Sequence, residues 1–190
     1  MNEKLLPATR GAGPLLQRDY WAVFDNCEMR PSALIAHVKS RFCELPPASL
    51  VTFTAADGLA TGARLDIRIR PAQHCAVSVV HQDAQSFTLA TLDGHPEAGR
   101  ITFASYRNGR GAVLFHIRSR ARSTTALKRI GFLAIGDPMQ TNTWVEFIRH
   151  TASSVGAHIS GVIHAQTEHV EEVADDDEPL SMPTFLATGD

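Results

Sequence analysis

The sequence lacks the features that mark a membrane protein or a secreted, disulfide-bonded domain. Its 190 residues contain no apolar run that approaches the roughly 20 residues of a membrane span. Residues 1–14 have no apolar signal-peptide core. The cysteines Cys27, Cys43 and Cys75 are odd in number and form no C-x-x-C pair, so we interpret them as reduced, buried thiols. These absences lead us to expect a cytoplasmic protein without a membrane span.

The motifs of several common enzymes are missing as well. The chain contains no G-x-G-x-x-G after a strand, no P-loop, no G-x-S-x-G and no H-E-x-x-H. Their absence argues against the usual dinucleotide enzymes, P-loop nucleotide enzymes, α/β-hydrolases and zincins, so we expect no cofactor. His158, His164 and His169 are six and five residues apart, a wider spacing than tetrahedral metal sites prefer, so we expect no metal site.

Aromatic residues that could stack on bases are scarce. The chain has two Tyr and two Trp, and none of them stands among the arginines of the predicted strands. Binding of single-stranded nucleic acid needs aromatic side chains interleaved with basic ones. We therefore expect no nucleic-acid partner and assign these arginines to the solvated outer face of a sheet. They are Arg64, Arg68, Arg70, Arg118, Arg120 and Arg122.

Positive charge is missing from the C-terminal part of the chain. The last of the 18 Lys and Arg residues is Arg149, whereas eight of the 20 Asp and Glu residues follow it. An acidic segment beside a mildly basic body is typical of a solvated tail, so we expect residues 157–190 to be disordered. The alternative is a tail that folds back over a basic surface. We expect residues 1–17 to be a flexible leader and residues 18–156 to form one domain.

Hydrophobic periodicity predicts the elements of that domain. An aromatic-rich segment over 19–27 predicts a strand, and the stretch that begins at Pro31 has apolar residues at helical spacing. Over residues 49–123 the period becomes two; Leu65 and Ile67, for example, alternate with polar residues. This part predicts strands over 50–54, 64–70, 75–80, 87–92, 101–106 and 111–122.

A helical region follows the predicted strands. It begins at Thr124, is interrupted by Gly131 and Gly136, and continues as a helix over 138–155 that Asp137 caps. The helical spacing predicts that this helix buries one stripe of side chains, which consists of Trp144, Phe147, Ile148, Thr151 and Val155. A run of strands followed by a long helix predicts an α+β fold, in which a curved antiparallel sheet of about seven strands grips a long C-terminal helix. The space between such a sheet and helix is a natural ligand cavity.

One loop between two predicted strands carries residues of chemical interest. Gly94 and Gly99 flank His95, Pro96 and Glu97, so the loop can turn tightly and is stiffened by the proline. An imidazole and a carboxylate two residues apart can act as an acid/base pair, so we interpret His95 and Glu97 as candidate catalytic residues. The alternative is structural: either side chain could hydrogen-bond the backbone and fix the hairpin.

This loop is part of a wider sequence resemblance. The segments T-L-D-G-H-P-E-A-G (91–99), I-T-F (101–103) and V-L-F-H-I-R (113–118) resemble a domain-of-unknown-function family of bacterial and plant proteins. The signature of that family is T-L-x-G-H-P-E-x-G-x-x-x-F followed by V-x-F-x-I-x-x-x-S-R, and its last helix begins near G-x-P-x-x-x-x-Q. The resemblance covers roughly residues 19–155.

The sequence departs from this signature in places. Ala90 stands where the family usually has Gly, and S-R-A-R over 119–122 stands where it has S-R-P. Gly136, Pro138 and Gln140 form a shorter version of the helix motif. The family resembles START-like (SRPBCC, helix-grip) proteins, whose fold agrees with the element order above. START-like proteins bind lipids, polyketides or other apolar ligands, and some are cyclases or dehydratases; the resemblance implies no particular reaction.

The resemblance implies a small apolar ligand, lipid-like or polyketide-like, between the sheet and the C-terminal helix. The apolar residues that would contact it could instead simply fill the core. Tyr106, His116 and Arg118 are secondary candidates for polarising a ligand oxygen, if they point inward. The expected ligand-binding wall consists of Leu65, Ile67, Phe87, Leu89, Phe103, Tyr106, Phe115, Trp144, Phe147 and Ile148.

Two functions remain open at this point. One is a cofactor-free enzyme of specialised metabolism that cyclises, dehydrates or isomerises its ligand, with His95 and Glu97 moving the protons. The other is a non-catalytic carrier or sensor whose polar groups only orient the ligand. A third interpretation is an interaction module regulated by its acidic tail. An inward-facing pair of titratable side chains favours the enzyme, and an all-apolar cavity favours the carrier.

Overall fold

The computed structural model describes residues 4–56, 58–124 and 137–171. Within them, eight strands form one antiparallel sheet, and two α-helices pack against its inner face. The strands are β1 (Ala12–Asp25), β2 (Val51–Ala55), β3 (Arg64–Ile69), β4 (Gln73–Gln82), β5 (Ser86–Thr91), β6 (Glu97–Arg107), β7 (Val113–Ser123) and β8 (His158–Val170). The helices are α1 (Pro31–Ser40) and α2 (Asp137–Ser154), and a short 3-10 helix (Ala8–Arg10) precedes β1.

The order of the strands in the sheet is β2-β3-β4-β5-β6-β7-β1-β8. Strands β2 to β7 form a meander in which each strand pairs with the next. Strand β1 lies beside β7, and β8 pairs with the other edge of β1. The sheet and the long helix packed against it confirm the predicted α+β fold, with one strand more than the sequence predicts.

Alternating burial shows why these segments form strands. In β3, Leu65 and Ile67 are buried whereas Asp66 and Arg68 are exposed, because successive side chains of a strand point to opposite faces. The inner face buries an aromatic cluster around Phe42, which follows α1. The ring of Phe42 lies 5.2–5.6 Å from four other rings, measured between centroids. They belong to Phe53, Phe87, Phe103 and Phe147.

Helix α2 buries one stripe of side chains, as its spacing predicts. Trp144, Phe147, Ile148 and Thr151 are all buried. Residues three and four positions apart share one face of a helix, so these four form a continuous surface. Phe147 stacks on Phe115 of β7, with ring centroids 6.3 Å apart. The stripe therefore packs against the inner face of the sheet, and this prediction is confirmed.

The first strand is longer than the sequence predicts. Strand β1 begins at Ala12, so the expectation of a flexible leader over 1–17 is wrong for the last part of that segment. Leu16 pairs with β7 on one side and with β8 on the other. Gly13 adopts a φ of 83° next to a shift in pairing register, so this glycine marks an irregularity within a strand rather than a loop.

A strand also occupies the start of the expected tail. Residues 158–170 form β8, so the expectation of disorder over 157–190 is wrong for this segment. Strand β8 covers the edge of β1, and the half-buried Ile159 and Ile163 pack against the core. Gly161, with a φ of 73°, interrupts the alternation of side chains along β8. The apolar residues of β8 therefore show little period-two spacing in the sequence.

Two predicted segments lie outside the described residues. They are the helical stretch over 125–136 and the remainder of the acidic tail over 172–190. Among the helices of the described residues, none is long and apolar enough to cross a membrane.

The cysteines differ from one another in exposure. Cys43 is exposed, which corrects the expectation of three buried thiols, whereas Cys27 and Cys75 are partly buried. All three are free. Burial and the nearby carboxylate of Glu97 raise the pKa of Cys75 to about 12. The Cys75 thiol is therefore protonated at neutral pH, and a protonated thiol is a poor nucleophile.

Candidate functional site

A cavity of about 130 Å³ lies between the inner face of the sheet and the first turns of α2. Strands β2 to β5 supply most of its apolar wall, whereas the β5–β6 turn, β6, β7 and α2 supply most of its polar residues. The cavity therefore has an apolar side and a polar side, as small-molecule sites commonly do. The apolar side includes Val51, Phe53, Ile67, Val77 and Leu89. The polar side includes His95, Glu97, Ser119, Gln140 and Trp144.

The volume of the cavity limits what it can hold. An apolar cavity of about 150 Å³ is large enough to bind benzene, and the cavity of this protein is close to that size. Pockets for drug-sized ligands span about 300–1,000 Å³. The cavity therefore accommodates one ring or a short chain, and a larger ligand would require its walls to move.

The structure separates the predicted ligand-binding residues into three groups. Ile67, Leu89 and Trp144 line the cavity. Tyr106 lies on the outer face of the sheet, because Phe103 points inward and alternation turns residue 106 outward. Its assignment to the wall is therefore wrong. The others fill the core instead of lining the cavity, because their side chains pack against one another: Leu65, Phe87, Phe103, Phe115, Phe147 and Ile148.

His95 lies in the tight turn between β5 and β6, where Gly94 adopts a φ of 94°. The Nδ1 atom of its ring is 3.1 Å from the backbone nitrogen of Glu97 and 2.9 Å from the backbone oxygen of Glu97. An unprotonated Nδ1 accepts a hydrogen bond from that N–H, and a protonated Nδ1 donates one to that C=O. The ring is thus held to the turn in either state while His95 also lines the cavity.

Glu97 begins β6 and directs its side chain to the inner face. Its carboxylate accepts hydrogen bonds from Arg18 of β1 (Nη1 to Oε1, 3.3 Å) and from Gln140 of α2 (Nε2 to Oε2, 3.4 Å). The side chains of Arg18 and Glu97 are 1% and 11% exposed. Little water screens these opposite charges, so they attract each other more strongly than an exposed pair would. Glu97 therefore joins three elements at the polar side of the cavity.

The sequence patterns did not single out Arg18 or Ser119 as site residues. Arg18 stands at the boundary of the expected leader, yet it shares the inward-facing side of β1 with the buried Tyr20 and Ala22. A charged residue in an inward position of a strand was the signal that could have revealed it. Gln140 belonged to the helix motif of the resemblance, which left its role open.

The local structure explains why the last residue of the loop motif is a glycine. Gly99 adopts a φ of 153°, and a Cβ atom there would lie 2.1 Å from the backbone oxygen of Arg120. The Oγ1 atom of Thr91 accepts a hydrogen bond from the backbone N–H of Gly99 at 3.0 Å, which ties β5 to β6. Because β6 and β7 approach so closely, a side chain at position 99 is excluded. This part of the motif builds the hairpin that holds His95 and Glu97 in place.

His116 and Arg118 lie on the outer face of the sheet, so neither can polarise a ligand in the cavity. The Oδ1 atom of Asp19 is 2.6 Å from both His116 Nε2 and Arg118 Nε. Burial alone would raise the pKa of Asp19, but the hydrogen bonds from His116 and Arg118 hold it below its usual value. Burial lowers the pKa of His116 and raises that of Tyr106. The buried Arg118 also corrects the expectation of a fully solvated outer face.

The chemical capacity of the site follows from its polar side. In the parts of the chain that the structure describes, no group of three or more His, Cys, Asp and Glu side chains could hold a metal ion. The polar side offers an imidazole, a paired carboxylate, a serine hydroxyl, an amide and an indole N–H. An imidazole can exchange protons near neutral pH. The arrangement can thus orient one polar group of a mostly apolar ligand and can place a proton donor or acceptor near it.

Comparison with known proteins identifies the family. Residues 41–156, more than half of the chain, match a domain of unknown function (DUF1990). The chain belongs to the DUF1990 family. This match confirms the family resemblance that the loop motif predicts. The DUF1990 protein matches no curated protein sequence.

The fold of the DUF1990 protein is similar to that of solved structures with little sequence identity. A point mutant of norcoclaurine synthase from Thalictrum flavum, in complex with a transition-state analogue, has a TM-score of 0.56 at 9% identity, covering 76% of this chain and 96% of that chain. The same enzyme in complex with dopamine and hydroxybenzaldehyde has a TM-score of 0.53 at 8% identity, covering 82% and 93%.

A third similar structure is the di-domain ARO/CYC StfQ from the steffimycin biosynthetic pathway. Its TM-score is 0.54 at 9% identity, covering 75% of this chain and 51% of that chain. The DUF1990 protein therefore spans about half the length of StfQ. At such identities the likeness shows the fold alone, which is the START-like helix-grip fold.

Proposed function

We propose that this DUF1990 protein binds a small, largely apolar ligand in the cavity between the sheet and α2. The observation that carries the proposal is a cavity of about 130 Å³ with an apolar side on β2 to β5 and a polar side on β6, β7 and α2. Burial of apolar ligand surface against Val77 and Leu89 supplies the affinity, and the polar side fixes the orientation. The volume favours a ligand with one ring or a short chain.

A similar fold holds molecules of this size. The norcoclaurine synthase structure contains dopamine and hydroxybenzaldehyde, each of which is built on a single six-membered ring. The ligand class that we propose for the DUF1990 protein therefore agrees with molecules that a protein of similar fold can hold. The three free thiols support a cytoplasmic location for this binding function.

A second candidate function is cofactor-free acid/base catalysis on the bound ligand, as in a cyclase, dehydratase or isomerase of specialised metabolism. It is favoured by the presence of two titratable side chains, His95 and Glu97, in the cavity wall. His95 would transfer the proton, because Glu97 is held by Arg18 and Gln140. A non-catalytic carrier or sensor is the alternative, and it needs these groups only to build the turn and orient the ligand.

Binding is tested with toluene, a ring-sized apolar probe, added to the full chain and followed by ligand-observed NMR. Val77→Phe places a ring in the cavity and should abolish saturable binding. Val162→Phe is the matched control, because Val162 is 62% exposed on β8; this variant should bind toluene as the unsubstituted protein does. The proposal fails if the unsubstituted protein does not bind toluene, or if Val77→Phe binds it equally well.

Native mass spectrometry of the protein purified from its own host identifies the natural ligand. A co-purifying molecule with one ring or a short chain supports the proposal and supplies the substrate for an assay of turnover. The proposed location is contradicted if the bound molecule is too large for the cavity and the Val77→Phe variant still retains it.

A further inference from the structure

Three buried polar atoms in the cavity wall lack a hydrogen-bond partner among the described residues. They are Nε1 of Trp144, Oγ of Ser119 and Oε1 of Gln140. Ser119 is 3% exposed and Trp144 is 7% exposed, so bulk water does not reach them. Buried polar groups in folded proteins almost always have a partner. Atoms of this kind in a cavity wall therefore indicate that a molecule in the cavity supplies the partner.

The fold brings these three side chains to the same side of the cavity. Gln140 and Trp144 are four residues apart on α2, which places them on one face of the helix, one turn from each other. Ser119 belongs to the inward-facing residues of β7, opposite Arg18 of β1. The amide of Gln140 has a fixed orientation, because its Nε2 atom donates a hydrogen bond to Glu97. Oε1 is therefore the amide atom that is available to a ligand.

The hydrogen-bonding character of the three atoms selects the ligand group. The indole N–H of Trp144 can only donate, the amide oxygen of Gln140 can only accept, and the hydroxyl of Ser119 can do both. A ligand carbonyl could only accept, and a ligand ammonium could only donate. A hydroxyl group accepts from one partner and donates to another, so it can satisfy groups of both kinds.

We propose that the ligand of the cavity carries a hydroxyl group, which hydrogen-bonds to Ser119, Trp144 and Gln140 while its apolar ring or chain contacts the side formed by β2 to β5. This inference rests on the proposed function and narrows its ligand class to small phenols or alcohols. It makes Ser119 and Trp144 specificity residues, which distinguish a hydroxylated ligand from an apolar one of the same shape.

The test compares phenol with toluene, which differ by a hydroxyl in place of a methyl group and have nearly the same shape. Dissociation constants for both probes are measured on the full chain, with Ser119→Ala and Trp144→Phe as the variants. Each variant removes one hydrogen-bonding group and keeps most of the side-chain volume. Each should weaken the binding of phenol by about five- to tenfold and change that of toluene by less than about twofold.

Ser105→Ala is the matched control. The Oγ atom of Ser105 is also buried, and it has no partner among the described residues, but Ser105 does not line the cavity. This variant should leave the ratio of the two dissociation constants unchanged. If Trp144→Phe fails to unfold cooperatively, Ser119→Ala decides the question alone, because it removes a single oxygen atom.

The outcomes distinguish this inference from the proposed function. If toluene binds but Ser119→Ala changes phenol and toluene affinity equally, the hydroxyl subsite is wrong and the apolar cavity stands; an ordered water would then be the partner of these atoms. If the unsubstituted protein does not bind toluene, the proposed function fails, and the subsite, which rests on it, fails with it.

Discussion

Arg18 and Glu97 form an ion pair in the interior of the protein, with Arg18 Nη1 3.3 Å from Glu97 Oε1. The two residues belong to β1 and β6, which are not neighbours in the sheet, so the pair reaches across β7. It lies at the polar side of the cavity, where Glu97 also accepts a hydrogen bond from Gln140. The pair therefore fixes the position of the carboxylate.

The first prediction concerns the stability that this pair provides. Arg18→Met should lower the free energy of unfolding by about 3–5 kcal/mol, because it leaves a buried carboxylate without its cationic partner. The double variant Arg18→Met/Glu97→Met should lose less than the sum of the two single variants, since it removes both charges. Chemical denaturation measures all three losses.

An exposed pair serves as the control for that cycle. Arg41 and Glu44 are in contact on the surface, with side chains 46% and 62% exposed. Arg41→Met should therefore change stability little. Additive losses in the Arg18 and Glu97 variants would show that the two buried charges are not coupled.

The second prediction separates the structural and catalytic roles of His95. His95→Asn keeps a hydrogen-bonding atom near the position of Nδ1, which bonds the backbone of Glu97, but it removes the imidazole. This variant should retain most of the stability, whereas His95→Ala should lose roughly 1–3 kcal/mol because it strands the backbone partners. If the protein is an enzyme, His95→Asn should lower turnover of the natural ligand by about 10²- to 10⁴-fold.

The measurements for this prediction are thermal unfolding and turnover of the ligand that co-purifies with the protein. A His95→Asn variant with normal stability and normal turnover rules out the catalytic role. Equal destabilisation by Asn and Ala would mean that the Nδ1 contact does not hold the turn.

The sequence predicts the elements that are buried on one face and misses those whose burial depends on a neighbour. The alternating burial of β3 and the buried stripe of α2 follow from the order of apolar and polar residues within each element, so the sequence predicts both. Within the described part of the chain, β8 pairs along one edge only, with β1, and most of its side chains are exposed. Its sequence therefore carries little apolar periodicity, and only pairing with β1 makes it a strand.

The candidate site was predictable in kind but not in detail. The loop motif directed attention to His95 and Glu97, which both line the cavity. Whether an apolar residue lines a cavity or fills the core depends on packing between distant elements, which hydrophobic periodicity does not predict. Ile67, for example, lines the cavity, whereas Leu65 does not. The inward position of Arg18 follows from the pairing register of β1, in which Arg18 lies opposite Ser119.

The third prediction concerns the contribution of β8. A chain that ends at Gly156 lacks β8, so it exposes the edge of β1 and the core that Ile159 and Ile163 cover. We expect its free energy of unfolding to fall by roughly 3 kcal/mol or more, which lowers Tm by about 6–12 °C. The comparison is a chain that ends at Glu171 and keeps β8. Equal Tm values for the two chains would show that β8 is not part of the stable fold.

The last prediction is a pH dependence of stability that originates on the outer face of the sheet. His116 is buried beside Asp19, Arg118 and Tyr106, and burial lowers its pKa. In the unfolded chain the same residue takes up a proton near its ordinary pKa of about 6.5. Between that value and the lower folded pKa, the unfolded state binds more protons than the folded state. The free energy of unfolding should therefore fall as the pH is lowered from 7.5 towards 5.5.

Urea denaturation at several pH values tests this prediction with His116→Gln, which cannot take up the proton and should show a weaker decrease over the same window. The contribution of Asp19 does not interfere, because its pKa is lowered, so its stabilisation is complete above about pH 4 and is lost only at more acidic pH. His74→Gln is the control, since His74 is exposed, and it should keep the pH dependence of the unsubstituted protein. Parallel curves for His116→Gln and the unsubstituted protein would contradict the assignment, because they would mean that the folded protein accommodates a proton on His116 as readily as the unfolded chain does.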